Sequence, residues 1–370
     1  MIRCRRSRNR TGHKTVTKLS LSKRVLSHNN YQGDPMKKFL AAVLTVLATS
    51  VSAVEITGAG ATFPFPIYSQ WSVDYQKITG VKLNYQSIGS SGGIKQIRAG
   101  TVHFGATDAP MNVADLAQAG LIQFPTVLGG VVPIINLDGF LPGELQITGA
   151  VLADIYLGTI SRWNDARIAA LNPGKTLPDL PITVVHRADG SGTTFIFTDY
   201  LNEVSKTWAE RMGKGAAVKW IPATAVGGKG NEGVSAVVNR VKGSIGYVEY
   251  AYAKKNNIPH VKMQNRDGRY VQPDDTTFAA AAKDAEWFKT PGMGISLVNQ
   301  KGADAWPITG ATFVLVYREP KDKKATQEVL KFFAYAWDKG GKSALDLDYV
   351  PLPKAVTDRI RTEQWALIKK

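Results

Sequence analysis

The sequence has 370 residues, 46 of them Lys or Arg against 30 Asp or Glu, a formal net charge of +16. With 44 % hydrophobic residues it is too apolar for a disordered chain, and a single cysteine excludes a disulfide framework. Residues 1–35 are rich in Arg, Lys, Ser and Asn and show no hydrophobic periodicity. They read as a long basic leader, an RNA-binding arm or a translation start set too far upstream, and the last is favoured because Met36 opens a complete signal. Met36-Lys37-Lys38 is basic, Phe39 to Ala48 is apolar, and Val51-Ser52-Ala53 ends in the small residues a signal peptidase reads. The apolar stretch is too short to span a bilayer. Arg5-Arg6 lies too far from it for a twin-arginine signal.

Cleavage before Val54 changes the electrostatics. Residues 1–53 hold 11 of the basic residues and one of the acidic ones, so 35 basic and 29 acidic residues remain, a net of +6. The apparent nucleic-acid footprint leaves with the leader, and no nucleic-acid partner is expected. Cys4 leaves too, and no cysteine follows the signal to carry a lipid. The mature chain, residues 54–370, is therefore predicted to be a freely soluble periplasmic protein, long enough for two lobes of about 150 residues each.

β-rich runs alternate with amphipathic helical ones, an α/β pattern. Val54–Thr57 predicts a strand, and Pro66 opens a helix to about Thr79, with Ile67, Trp71 and Tyr75 on one face and Gly80 as its stop. Val81–Gln86 alternates as a strand, and His103–Asp108 reads as a short strand ending in an exposed acid. The apolar run Val127–Ile135 predicts a buried strand crossing into a second lobe. Strands follow at Ile182–His186 and Ile245–Val248. Thr312–Tyr317 predicts a return crossing, with a helix over Ala325–Trp337 packed on the first lobe.

Three loops place small residues with free backbone N–H groups at a predicted helix start: Ala61-Thr62-Phe63, Gly89-Ser90-Ser91-Gly92-Gly93 and Asp189-Gly190-Ser191-Gly192-Thr193. Helix N-termini present unpaired donors and the positive end of the backbone dipole, which suits a small anion. Any one such loop is more often a simple helix cap; three in one chain, with the Arg187 guanidinium beside the third, shift the balance to a converging anion site. Asp108 is informative because a carboxylate repels an anion unless that anion brings a proton. Phosphate at neutral pH carries a P–OH and sulfate does not, so an acid here selects the former.

Other motifs fail. Gly228–Gly233 fits G-x-G-x-x-G but shows no clear strand–helix–strand setting for a dinucleotide. Gly174-Lys175-Thr176 and Gly341-Lys342-Ser343 have Ala169 and Ala336 where a phosphate loop needs glycine. His103, His186 and His260 are too scattered for zinc, so no metal is expected. His186 with Ser191 invites a nucleophile–base reading, but Asp189 replaces the first Gly of G-x-S-x-G. Trp71, Trp163, Trp208 and Trp220 read as packing.

Thr57-Gly58-Ala59-Gly60-Ala61-Thr62-Phe63-Pro64, Gly89–Gly93, Ala106-Thr107-Asp108-Ala109-Pro110 and Arg187–Thr193, with Gly227–Asn231, Gly246–Tyr250 and Asp304–Thr309, together resemble the periplasmic phosphate-binding protein of the phosphate-specific ABC transporter. The resemblance spans residues 54–370. It implies an α/β chain with the type II periplasmic-binding-protein fold: two α/β lobes joined by crossing segments, with the ligand in the cleft. Lobe I would comprise residues 54–127 and 303–370, and lobe II residues 128–302. It further implies that Thr62 and Phe63 supply backbone and hydroxyl donors, that Ser90, Ser191, Gly192 and Thr193 surround the other oxygens, that Arg187 pairs with the anion and that Asp108 accepts the phosphate proton. Thr107 stands where Ser is frequent and His186 where a second Arg is frequent, the latter lowering positive charge beside the site. The expected partners are inorganic phosphate and a membrane permease, the protein acting as a monomer without cofactor or catalysis. The competing expectation is a secreted phosphoester hydrolase using the same pocket, which would need an activated nucleophile or a metal cluster. An extracellular scavenger or adhesin on the same fold is a third reading.

Overall fold

The computed structural model describes residues 55–369. The basic leader, the signal segment and Val54 lie outside the described residues. The strands that organise the molecule are β1 (Glu55–Gly60), β2 (Lys82–Ser87), β3 (Phe104–Thr107), β4 (Leu121–Ile135), β5 (Thr183–Arg187), β6 (Val226–Gly228), β7 (Ser244–Glu249) and β8 (Ile308–Tyr317). The helices that matter for the site are α1 (Phe65–Thr79), α2 (Ser90–Arg98), α3 (Gly192–Val204), α4 (Gly230–Arg240) and α5 (Lys323–Lys339).

The strands follow the order β2-β1-β3-β8-β4-β7-β5-β6. β1, β2 and β3 are parallel, and β8 runs antiparallel to both β3 and β4. β4 then changes partner within its own length. Its residues 121–130 pair with β8, and residues 131–135 pair antiparallel with β7. β7 and β6 both lie parallel to β5. A single long strand thus links two sheets, each with its own helices, and the expected two-lobed α/β arrangement is present. All of β4 is buried, as is β8 from Ile308 to Val316, which is why both read as apolar runs rather than alternating ones.

α1 forms where Pro64 and Pro66 pre-set its first turn, and it stops at Gly80, whose φ of 75° is the left-handed conformation glycine tolerates. Ile67, Tyr68, Trp71 and Tyr75 are its buried stripe. α5 buries Val329, Phe332, Phe333 and Ala336 on the first sheet, where Phe333 packs edge-on against Phe104, Phe124 and Tyr68. In the second lobe Phe197 of α3 stacks on Tyr247 of β7 with ring centres 4.1 Å apart. These rings set the helix–sheet spacing that holds the helix starts in place.

β4 begins six residues before the predicted run. Gln123 breaks the apolar pattern there, yet it is only 1 % exposed, bonding both ways to the Met111 backbone and donating to the Gly292 carbonyl. Gly228–Gly233 does lie in a strand–helix–strand unit, β6–α4–β7. β6 has only three residues, too few to show a strand period in sequence. Among the described residues no helix is long and apolar enough to cross a membrane.

Candidate anion-binding site

The three predicted donor loops meet. Thr62 and Phe63 precede α1, Ser90 opens α2, and Ser191 is the N-cap of α3, its Oγ accepting from the Thr194 amide at 3.0 Å. Thr62, Phe63, Ser90, Asp108, Ser191 and Thr193 are all at most 2 % exposed, and Arg187 is 5 % exposed. The Thr62 and Phe63 amides have no acceptor among the described residues, and the first-turn amides of α2 and α3 have no intrahelical one.

The lobes meet backbone to side chain at Gly192. Its amide donates to Ser90 Oγ at 3.0 Å, and the same hydroxyl oxygen accepts the Asp108 amide at 3.1 Å. A Cβ at position 192 would lie 2.4 Å from Ser90 Oγ and 2.5 Å from the Asp108 Cβ, so only glycine lets the lobes approach this far. One loop away, the Ser91 amide donates to the Gly190 carbonyl at 3.1 Å.

Asp108 was expected to be an exposed acid and is instead 2 % exposed. The second lobe covers it, a cause that no local sequence pattern encodes. Burial pushes its carboxyl up to about 7, against the opposing pull of the Thr312 hydroxyl, the Arg187 charge and Ser90. Thr312 Oγ1 donates to Asp108 Oδ1 at 2.6 Å and so fixes the carboxyl's orientation. A buried acid poised in this range takes or shares a proton far more readily than an exposed one.

Arg187, at the end of β5, is held by a two-pronged bond to Asp189: Nε donates to Oδ1 at 2.8 Å and Nη2 to Oδ2 at 2.5 Å. Nη1 donates to Thr193 Oγ1 at 3.4 Å. One N–H on each terminal nitrogen remains, a pair spaced to meet two oxygens of one anion. Burial alone would raise the Asp189 carboxyl, but the Arg187 bonds and charge, with the Gly230 amide, hold it below the usual carboxylate range.

Three groups at the site escaped the sequence reading. Asn231 at the start of α4 bonds both Thr62 and Thr193, and Thr312 orients Asp108. The Tyr247 hydroxyl accepts from the Arg187 amide at 3.3 Å and bonds Thr194 Oγ1 at 2.7 Å. Asn231 lies inside the G-x-G-x-x-G loop and Tyr247 inside the block Gly246–Tyr250, but neither pattern marks the residue as part of an anion site. His186 and Ser191 do not pair. The His186 ring stacks on Trp220 and its Nδ1 lies 2.8 Å from the Arg187 carbonyl, while burial holds its pKa below the ordinary value.

Amides, hydroxyls, a half-free guanidinium and one buried acid, brought together where the two lobes meet, suit a small tetrahedral oxyanion. They define a solute-binding protein with the two-lobed type II periplasmic-binding fold. A family model described as "PBP superfamily domain" matches residues 45–336. The phosphate-binding protein PstS of Pasteurella multocida is 51 % identical over 326 residues, covering 88 % of this chain and 94 % of its own. PstS of Haemophilus influenzae is 50 % identical over 331 residues, covering 89 % and 98 %. The chain belongs to the PBP superfamily and, within it, to the PstS family of phosphate-binding proteins. Among solved structures, a high-affinity periplasmic phosphate-binding protein determined with phosphate bound matches in fold with a TM-score of 0.67 at 22 % identity, over 84 % of this chain and 93 % of its own.

Proposed function

We propose that this chain is a receptor that captures inorganic phosphate between its lobes and delivers it to the membrane permease of a phosphate ABC transporter. The observation that carries this reading is the buried Asp108 carboxyl, raised to about 7, in one cleft with Arg187 and the starts of three helices. An oxyanion that brings a proton satisfies that acid, whereas a fully ionised one leaves two buried negative charges face to face.

In this reading the Thr62 and Phe63 amides, the hydroxyls of Thr62, Ser90, Ser191 and Thr193, and the Thr193 amide donate to the phosphate oxygens, while Gly192, bonded to Ser90, lets the start of α3 close on them. Arg187 supplies the fork and Asp108 accepts the P–OH. The protein binds and releases; it performs no chemical step. Residues 54–127 with 303–370 and residues 128–302 move as the two lobes, and closure over the anion presents the form the permease recognises. Export by the signal at residues 36–53 places the receptor, as a monomer, in the periplasm.

Equilibrium titration of the mature protein with inorganic phosphate and with sulfate tests the reading. Tight phosphate binding with sulfate weaker by several orders of magnitude is expected. Equal affinity for the two anions, or none for phosphate, refutes it.

A further inference from the structure

Thr62 lies in the first lobe and Thr193 in the second, and one side chain addresses both hydroxyls. Asn231, near the start of α4, is fully buried. Its Nδ2 donates to Thr62 Oγ1 at 2.7 Å and to Thr193 Oγ1 at 3.2 Å, and its backbone N–H donates to Thr62 Oγ1 at 3.2 Å. Its Oδ1 accepts from the Glu249 amide at 3.0 Å. That last bond fixes the amide's sense, because an oxygen must face a backbone N–H, and the nitrogen then faces the two threonines.

The consequence is a matter of counting. A threonine hydroxyl offers two lone pairs and one proton. Both lone pairs of Thr62 Oγ1 are met by N–H groups of Asn231, and those of Thr193 Oγ1 by Asn231 and Arg187. Each oxygen has only its proton left to give, and no acceptor for either proton exists among the described residues. A hydroxyl free to rotate would turn its lone pairs toward an anion part of the time; these two cannot.

We infer that Asn231 is a positioning residue for the anion: it locks the hydroxyls of Thr62 and Thr193 as donors into the cleft and, by bonding Thr62 from the opposite lobe, holds the closed form. The inference rests on the phosphate reading above. Asn231 touches no anion itself; it acts through the two threonines.

Asn231→Asp is the sharpest probe. It keeps the oxygen that accepts from Glu249, so the local fold is preserved, but its second oxygen takes protons where Nδ2 gave them. Both threonine hydroxyls would then donate to Asp and present lone pairs to the anion. Isothermal titration with inorganic phosphate is expected to show a loss of about 100-fold or more for Asn231→Asp. Thr62→Val, nearly isosteric, should lose about 10-fold. If Asn231 works through the Thr62 hydroxyl, Asn231→Asp must cost several-fold less in the Thr62→Val background than in the wild type. Asn231→Asp within about threefold of wild type, or losses that simply multiply in the double variant, overturns the inference while leaving the phosphate reading intact. A wild-type protein with no phosphate affinity overturns both.

Discussion

The Gly192 amide donates to the Ser90 hydroxyl at 3.0 Å, joining the first turn of α3 to the first turn of α2 across the cleft. The bond has a steric counterpart, since any side chain at 192 meets that same oxygen and Asp108. The site's closed geometry therefore depends on a missing Cβ as much as on the donors around it.

Gly192→Ala is expected to fold normally, because residue 192 begins a helix and needs no unusual backbone angle. The added carbon, 2.4 Å from Ser90 Oγ, must push the lobes apart. Overpacking of this kind costs about 1–3 kcal/mol, or roughly 5- to 150-fold in phosphate affinity. Titration would read the loss, and small-angle scattering with saturating phosphate would show a larger radius of gyration than wild type. Unchanged affinity and radius would mean that the closed state tolerates extra volume at this contact.

Asp108→Asn separates anion affinity from anion choice. Asn can accept from Thr312 as Asp108 does and offer an N–H to the cleft, which suits a fully ionised oxyanion. The phosphate-to-sulfate affinity ratio should fall by about 10-fold or more, chiefly because sulfate binds better. Parallel titrations with the two anions measure it, and a constant ratio would remove Asp108 from the selectivity argument.

Much of this was legible in the sequence, and the parts that were not share a cause. The helix starts at Phe65, Ser90 and Gly192 were announced by Gly, Ser and Pro punctuation, and the second half of β8 by the apolar run Phe313–Val316, its first four residues being missed. Local chemistry writes such features. Asp108 read as exposed because an acid ending a strand usually is; its burial comes from α3, packed over it from more than eighty positions away in sequence. Asn231 and Thr312 look like an ordinary loop amide and an ordinary strand residue. Their roles exist only through partners 169 and 204 positions distant. The six-residue error at the start of β4 is of the same kind, since Gln123 is satisfied by a loop contact that no periodicity reports.

Arg187→Ala should weaken phosphate binding by about 2–5 kcal/mol, since it strips a buried anion of its cation and also strands Asp189 beside the cleft. Arg187→Lys is the informative companion. An ammonium restores the charge but cannot bond Asp189 with two prongs and still turn two parallel donors to the ligand. It should recover less than half of the lost free energy by titration. Full recovery would show that charge alone, not the fork held by Asp189, is what the anion feels.

The ligand-free protein should also lose stability as pH rises, and the sign follows from two buried acids. Burial raises Asp108 from 3.8 to about 7, and it raises Glu249 well above its ordinary 4.5, despite bonds from the Tyr349 hydroxyl and the Ala251 amide. A group whose folded pKa lies above its unfolded value costs nothing below the unfolded pKa. Its penalty grows as pH climbs to the folded value and then levels off. For Asp108 the window is therefore pH 3.8 to about 7. Asp108→Asn does not titrate, so its melting temperature minus that of wild type should increase across this window and flatten above it, with a total effect on the order of a few kcal/mol. Glu249→Gln should likewise gain on wild type as pH rises above the ordinary glutamate range. Thermal unfolding without phosphate from pH 4 to 9 measures both curves. A difference that stays flat for Asp108→Asn would mean that its carboxyl ionises as freely in the folded cleft as in the unfolded chain. Saturating phosphate should then compress the same curve, because a bound P–OH gives the ionised acid its partner.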